Sequence, residues 1–300
     1  MKDLLAYLPF RFGAAMFGLL PIGAVRWLGR FAGTMANART SSNRPLLASH
    51  MRRVLGSDAS APTVDAAVKG MYLSYGRYWA ETFWFRPKRK TQILDEVTRV
   101  NFGPVHKAQE AGQGIVFALP HVGNWEIAGV VAGDMGLRLM AVAEDLSNKH
   151  ITEWFLDVRE KFGIEVVLTT DPARRSKMVR HLKSGGSLAL LSDRDVTGRG
   201  VKAPFFGEET SLPSGPVALA EITKSVLIPV VVYFNDGGYT IEIAEPITLP
   251  EEGTRQERLD AGAVLVARAM ERFIRKHPEQ WHLFQPNWPS DSALTDVESE

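Results

Sequence analysis

Ile115 to Leu119 is an uninterrupted apolar run of strand length, ended by Pro120, and it constrains the fold of this 300-residue chain more than any other stretch. A strand that is apolar on both sides must be covered on both sides, as happens in parallel sheets with helices on their two faces. The surrounding segments agree. Residues 97–102, 138–143, 165–169 and 187–192 read as strands, with helices at 103–112, 125–135, 150–162 and 173–183. This alternation predicts an α/β fold with a central, mostly parallel sheet flanked by helices. Asn235-Asp-Gly-Gly238 predicts a hairpin between strands at 226–234 and 239–247, and a last helix is expected over about 258–276. Residues 205–216 read as an irregular loop closed by Ser214 as a helix cap. The expected division is an N-terminal helical region over 1–96, an α/β core over 97–290 and an acidic, disordered tail over 291–300.

Composition removes several chemistries. With no cysteine there is no disulfide, no thiolate metal site and no cysteine nucleophile, and the seven histidines include no His-Glu-x-x-His pattern, so no metal is expected. The net charge of +1 hides an asymmetry, because residues 1–53 carry eight basic side chains against Asp3 alone. Residues 12–25 are uncharged but too few for a bilayer span, which needs about 20 apolar residues. Ala36-Asn-Ala38 invites a signal-peptide reading, but Arg26 and Arg30 intervene between it and the apolar run. A second basic cluster, Arg86, Lys88, Arg89 and Lys90, follows an aromatic stretch. Together these residues suit either a segment lying in an anionic membrane interface or a helix packed on the core with solvated arginines. No nucleic-acid-binding motif accompanies them, so no nucleic acid is expected as partner.

The strand at 115–119 delivers His121 to the carboxyl edge of the sheet, where substrates of such folds sit. Gly123 permits an unusual turn, Asn124 is a good helix cap, and Glu126 then falls in the first turn of the next helix. In that geometry Glu126 accepts one imidazole N–H and fixes the tautomer, leaving the other ring nitrogen to act as a general base on an alcohol. Chance also produces this spacing, and Glu126 is equally read as a carboxylate favoured by the helix dipole.

Other polar residues fall at the same edge. Asp193-Arg194-Asp195 ends the strand at 187–192, with Arg194 suited either to an anion such as phosphate or to a structural ion pair with its flanking acids. Glu144 and Asp145 end another strand, and Arg159 on the following helix faces either an anionic headgroup or solvent. His282 lies between Trp281 and Leu283, either reaching a headgroup or satisfied among aromatics. Phe205 and Phe206 line a lipid channel or pack in the core. No Gly-x-Ser-x-Gly elbow is present, so acyl transfer by this chain would be direct, with the acceptor alcohol attacking the donor carbonyl.

His121-Val-Gly-Asn-Trp-Glu126, Asp193-Arg-Asp195, Phe205-Phe-Gly207 with Pro213-Ser-Gly215, and His277-Pro-Glu-Gln-Trp-His-Leu-Phe-Gln-Pro-Asn-Trp288 resemble the bacterial lysophospholipid and lipid A acyltransferase family. The Glu in place of the broader family's Asp, and the Gln-Trp-His-Leu-Phe-Gln segment, look most like the actinobacterial phosphatidylinositol mannoside acyltransferases. The resemblance implies transfer of a palmitoyl-type chain from acyl-CoA, a co-substrate rather than a cofactor, to a mannose hydroxyl of phosphatidylinositol mannosides. It places the protein peripherally on the cytoplasmic face of the plasma membrane, and implies an acyl tunnel into the core. His121 and Glu126 carry over as the catalytic pair, with Glu144, Arg159, Asp195 and His282 as acceptor or headgroup contacts. Backbone N–H groups near Gly123, or a nearby cation, are expected to hold the oxyanion. Two alternatives are a lauroyl-type enzyme using acyl carrier protein and another glycolipid, and a non-catalytic peripheral lipid-binding protein.

Overall fold

The computed structural model describes residues 2–40, 42–196 and 198–295. Helices α1 (Lys2–Phe17), α2 (Ile22–Arg39), α3 (Arg44–Leu55), α4 (Ala61–Trp84) and α5 (Lys90–Asp95) come first. Strands and helices then alternate as β1 (Val97–Val100), α6 (Gly103–Glu110), β2 (Ile115–Leu119), α7 (Glu126–Asp134), β3 (Leu139–Ala143), α8 (Lys149–Glu160), β4 (Glu165–Leu168), α9 (Arg174–Lys183) and β5 (Ser187–Leu191). Next come β6 (Val201–Phe205), β7 (Glu208–Leu212), α10 (Gly215–Thr223), β8 (Val226–Phe234), β9 (Tyr239–Ile243), α11 (Arg255–Lys276) and α12 (Ser292–Thr295).

The main sheet has the order β1-β9-β8-β2-β5-β3-β4. From β8 to β4 the strands are parallel, while β9 turns back against β8 through the Asn235 hairpin, and β1 follows the direction of β9. The apolar run of β2 is explained by its place inside this sheet. Val116 and Ala118 enter the layer shared with α9, α10 and α11, and Ile115, Phe117 and Leu119 enter the opposite layer with α6 and α7. Each such side chain contributes about 1.5–3 kcal/mol on burial, so a polar residue in β2 would weaken one layer or the other.

Two expectations are corrected. Residues 201–212 form the two-stranded antiparallel β6–β7 hairpin, joined at Phe206 and Gly207, not an irregular loop. Both joining residues have positive φ (51° and 83°), the conformation of a tight two-residue hairpin turn. Phe205 and Phe206 are buried in the core layer of α11. The acidic tail also begins later than residue 291, because Asp291 is fully buried; residues 296–300 lie outside the described residues.

Asp291 fastens a segment that returns from α11 across the sheet edge. Its Oδ2 accepts the Asn287 and Trp288 N–H groups (2.8 and 3.0 Å) and lies 2.9 Å from His50 Nε2, and its Oδ1 lies 3.2 Å from an Arg53 guanidinium nitrogen. Burial alone raises the Asp291 pKa, but the His50 bond and the two backbone donors outweigh it and bring it down to about 2. Its folded value is thus depressed, so the stabilisation is complete above the ordinary aspartate range and is lost as pH falls toward about 2. Urea midpoints measured from pH 5 to pH 2 should therefore fall more steeply for the wild type than for Asp291→Asn; parallel curves would refute the assignment.

The N-terminal helices pack tightly. A Cβ on Gly33 of α2 would collide with the Tyr72 carbonyl of α4, so glycine sets the spacing of this pair. Arg86 and Arg89 are not a free basic patch. They donate to the Ala14 and Gly18 carbonyls (both 2.8 Å) at the end of α1, where helix carbonyls lack partners. No described helix is long and apolar enough to cross a membrane.

Candidate active site

The register of the sheet brings together two residues 72 apart in sequence. β2 and β5 are neighbours with Leu119 opposite Leu191, so His121 and Asp193, each two residues past its strand, emerge side by side. His121 Nδ1 lies 2.7 Å from Asp193 Oδ1, and its backbone N–H donates to Oδ2 at 3.0 Å. Trp281 Nε1 donates to the same Oδ2 at 2.7 Å, and Asn287 holds the Asp193 carbonyl at 3.2 Å. Burial alone would raise the Asp193 pKa, yet the His121 charge and these hydrogen bonds carry it below the ordinary range. Asp193 therefore remains ionised and accepts from Nδ1–H, which leaves His121 Nε2 as the basic nitrogen.

Glu126 has a different partner from the one expected. It opens α7 and grips Arg159 of α8 with both oxygens, at 3.0 Å to Nε and 2.6 Å to Nη2. Burial disfavours the guanidinium charge, but Glu126 outweighs it and raises the Arg159 pKa. Arg159 is thus neither solvent-facing nor free for a headgroup. No hydrogen bond joins His121 to Glu126 among the described residues, since Asp193 holds Nδ1.

The intervening turn explains the separation. Gly123 has φ 60°, and a Cβ there would run into the Val232 carbonyl. Asn124 is buried, accepts the Glu126 N–H at 3.3 Å, and donates to Glu81 of α4 at 3.3 Å. Glu81 is fully buried and also receives Arg26 (3.0 Å), Arg77 (2.7 Å) and Tyr239 (2.9 Å). This carboxylate ties α2, α4 and β9 to the turn that carries the histidine.

Two cavities meet here. One is a groove of mixed lining that includes His121, Glu144, Arg159, Arg194, Asp195 and His282 among aromatic and aliphatic side chains. The other is an apolar chamber between α7 and the sheet, running from Leu191 past Phe117 to Phe102 and Ile243. Trp125, Val142, Arg159, Leu190 and Leu191 border both, and Glu126 borders the chamber. A polar acceptor in the groove and an alkyl chain in the chamber would therefore meet beside the histidine.

The sequence profile of the bacterial lipid A biosynthesis acyltransferases matches residues 5–290. The chain belongs to this family. It is 30% identical over 265 residues to a phosphatidylinositol mannoside acyltransferase of Mycolicibacterium smegmatis, covering 88% of this chain and 85% of the relative. It is 33% identical over 252 residues to a phosphatidylinositol mannoside acyltransferase of Mycobacterium tuberculosis, covering 82% and 77%.

In this member of the acyltransferase family the remaining sequence-predicted residues divide. Glu144 lies in the groove wall, 3.6 Å from an Arg194 guanidinium nitrogen, while Arg194 Nε is buried with no hydrogen-bond partner. Asp195 also borders the groove, but its Oδ2 braces the β6–β7 hairpin by accepting Gly200 N–H and Ser211 Oγ–H, both at 2.7 Å. Of the backbone N–H groups near Gly123 expected to hold an oxyanion, three are engaged: His121 donates to Asp193, Val122 to Pro120 and Gly123 to Gln280. Asp193 is the residue that sequence reasoning assigned to Arg194 instead of to the histidine. In the folded chain each stands two positions past its strand, a register visible only once β2 and β5 are known to be neighbours.

Proposed function

We propose that this chain moves a palmitoyl-type acyl group from acyl-CoA to a mannose hydroxyl of phosphatidylinositol mannosides, by direct attack of the hydroxyl on the thioester. The observation that carries the reading is the His121–Asp193 pair beside a groove that carries charged side chains and shares wall residues with an apolar chamber. The named activity of the mycobacterial relatives supports the acceptor class.

In this reading His121 Nε2 removes the hydroxyl proton while Asp193 stabilises the imidazolium through Nδ1. The C–O bond forms as the carbonyl electrons move to oxygen. The tetrahedral species then collapses with cleavage of the C–S bond, and the imidazolium returns its proton to the departing thiolate. Glu126 holds Arg159 as part of the chamber wall, and Arg194 offers its unsatisfied Nε to a phosphate of the donor or of the lipid headgroup.

The protein acts peripherally, on the cytoplasmic face of the plasma membrane. The support is an exposed apolar ridge, Leu8, Phe12, Met16 and Leu19 on α1 and the turn after it, and stacked Trp27 and Phe31 on α2, beside exposed Arg11 and Arg30. Because Trp27 and Phe31 are exposed, Trp27→Ser with Phe31→Ser should leave folding intact and weaken sedimentation with anionic vesicles at least tenfold. Unchanged binding would sink the membrane reading.

The test of the function is transfer of label from palmitoyl-CoA to phosphatidylinositol dimannoside by the purified chain. A labelled glycolipid is the expected product. Transfer only from acyl carrier protein would overturn the donor, and no transfer from either donor would overturn the enzyme.

A further inference from the structure

The base has a second histidine beside it that the mechanism above does not use. His282 is buried in the groove wall, and its backbone N–H donates to the His121 carbonyl at 2.7 Å. Its Nε2 lies 2.7 Å from Ser74 Oγ on α4, while its Nδ1 is buried with no partner among the described residues. Donation from Ser74 Oγ–H to Nε2 gives the serine proton an acceptor and puts the ring proton of His282 on Nδ1, whereas the other tautomer leaves both the hydroxyl proton and Nδ1 unpaired among the described residues. A donor left without an acceptor in the wall of a catalytic groove is destabilising unless something arrives to accept from it.

Burial, reinforced by the charge of His121 and only partly opposed by Asp193, pushes the His282 pKa down to about 3. The ring therefore stays neutral beside a base that becomes cationic during turnover. The N–H groups of His121, Val122 and Gly123, which flank the base, are already engaged.

Resting on the acyl-transfer reading, we infer that His282 is a catalytic hydrogen-bond donor, with Nδ1–H stabilising the oxyanion that forms on the thioester carbonyl when the sugar oxygen attacks. A neutral imidazole suits this task. It polarises the carbonyl without competing with His121 for the substrate proton, and it returns to its starting state when the C–S bond breaks.

Two substitutions separate this role from a structural one. Asn places an amide where Nδ1 stands, whereas Gln reaches toward Ser74 and leaves the Nδ1 position empty. With palmitoyl-CoA and phosphatidylinositol dimannoside, His282→Gln should lower kcat about 10²–10³-fold with KM for the donor nearly unchanged, the usual effect of losing one oxyanion donor. His282→Asn should recover at least tenfold of that loss. Equal losses in the two variants, or a loss confined to KM, would overturn the assignment. A second readout needs no turnover. ¹⁵N-histidine spectra of the wild-type chain should show His282 as the Nδ1–H tautomer, with Ser74→Ala shifting it toward Nε2–H. An Nε2–H tautomer in the wild type refutes the donor role, whereas absent transfer beside an Nδ1–H tautomer counts against the acyl-transfer reading alone.

Discussion

Asp193→Asn should lower kcat about 10³–10⁴-fold, and His121→Ala should lower it by a similar factor. The reason is geometric. Asp193 accepts from both the ring and the backbone of His121; an amide there keeps one acceptor oxygen, which the His121 backbone and Trp281 N–H groups claim, and turns its NH2 donor toward Nδ1. The imidazole then takes the wrong tautomer or turns away, and Nε2 ceases to be the basic nitrogen. Because the two residues act as one unit, the double variant should lose little more than His121→Ala alone. Glu126→Gln should behave differently, since it loosens the Arg159 wall and leaves the His121–Asp193 pair intact. Steady-state kinetics on the four proteins decide the matter. A loss of about 10³–10⁴-fold in Glu126→Gln, with wild-type kinetics in Asp193→Asn, would return the orienting role to Glu126.

Glu81→Ala should reduce stability by about 3–5 kcal/mol, the usual range when one member of a buried ion pair is removed. Arg77 would lose its carboxylate partner, Arg26 would keep only Glu96, and Tyr239 and Asn124 would each lose an acceptor. Burial and the Glu81 charge both raise the Tyr239 pKa, so the phenol remains a donor in need of that acceptor. Thermal unfolding followed by circular dichroism should show a midpoint lower by on the order of 10 °C. A shift under about 2 °C would mean that water replaces the carboxylate at little expense. Activity should fall as well, because Asn124 links Glu81 to the turn between His121 and Glu126.

How far the sequence reveals this architecture depends on the range of the interaction. The run at 115–119 and the Asn235 hairpin were legible because hydrophobic period and turn chemistry are local. The β6–β7 hairpin was also written locally, with Ala203, Phe205, Thr210 and Leu212 alternating inward, but Pro204 and the Glu208-Glu209 pair masked the pattern. The pairing of His121 with Asp193 was not legible, because it requires knowing that β2 and β5 are neighbours. The same holds for Glu126 with Arg159, 33 residues apart, and for Asp291 with His50, 241 residues apart. Charge tells that each needs a partner, and only the folded chain says which.

The segment from 277 to 291 gives the site an order of assembly during synthesis. Trp281 and Asn287 hold Asp193, and the His282 backbone N–H is bonded to His121, so the base obtains its setting from residues translated about 160 positions later. On the ribosome, the sheet and the apolar chamber can form while these residues are still unmade. The emerging chain can thus be largely folded, and even occupied by an alkyl chain, before its histidine is held for chemistry. Activity arrives only once residues 277–291 have been made, which delays acyl transfer until the core that precedes them is in place.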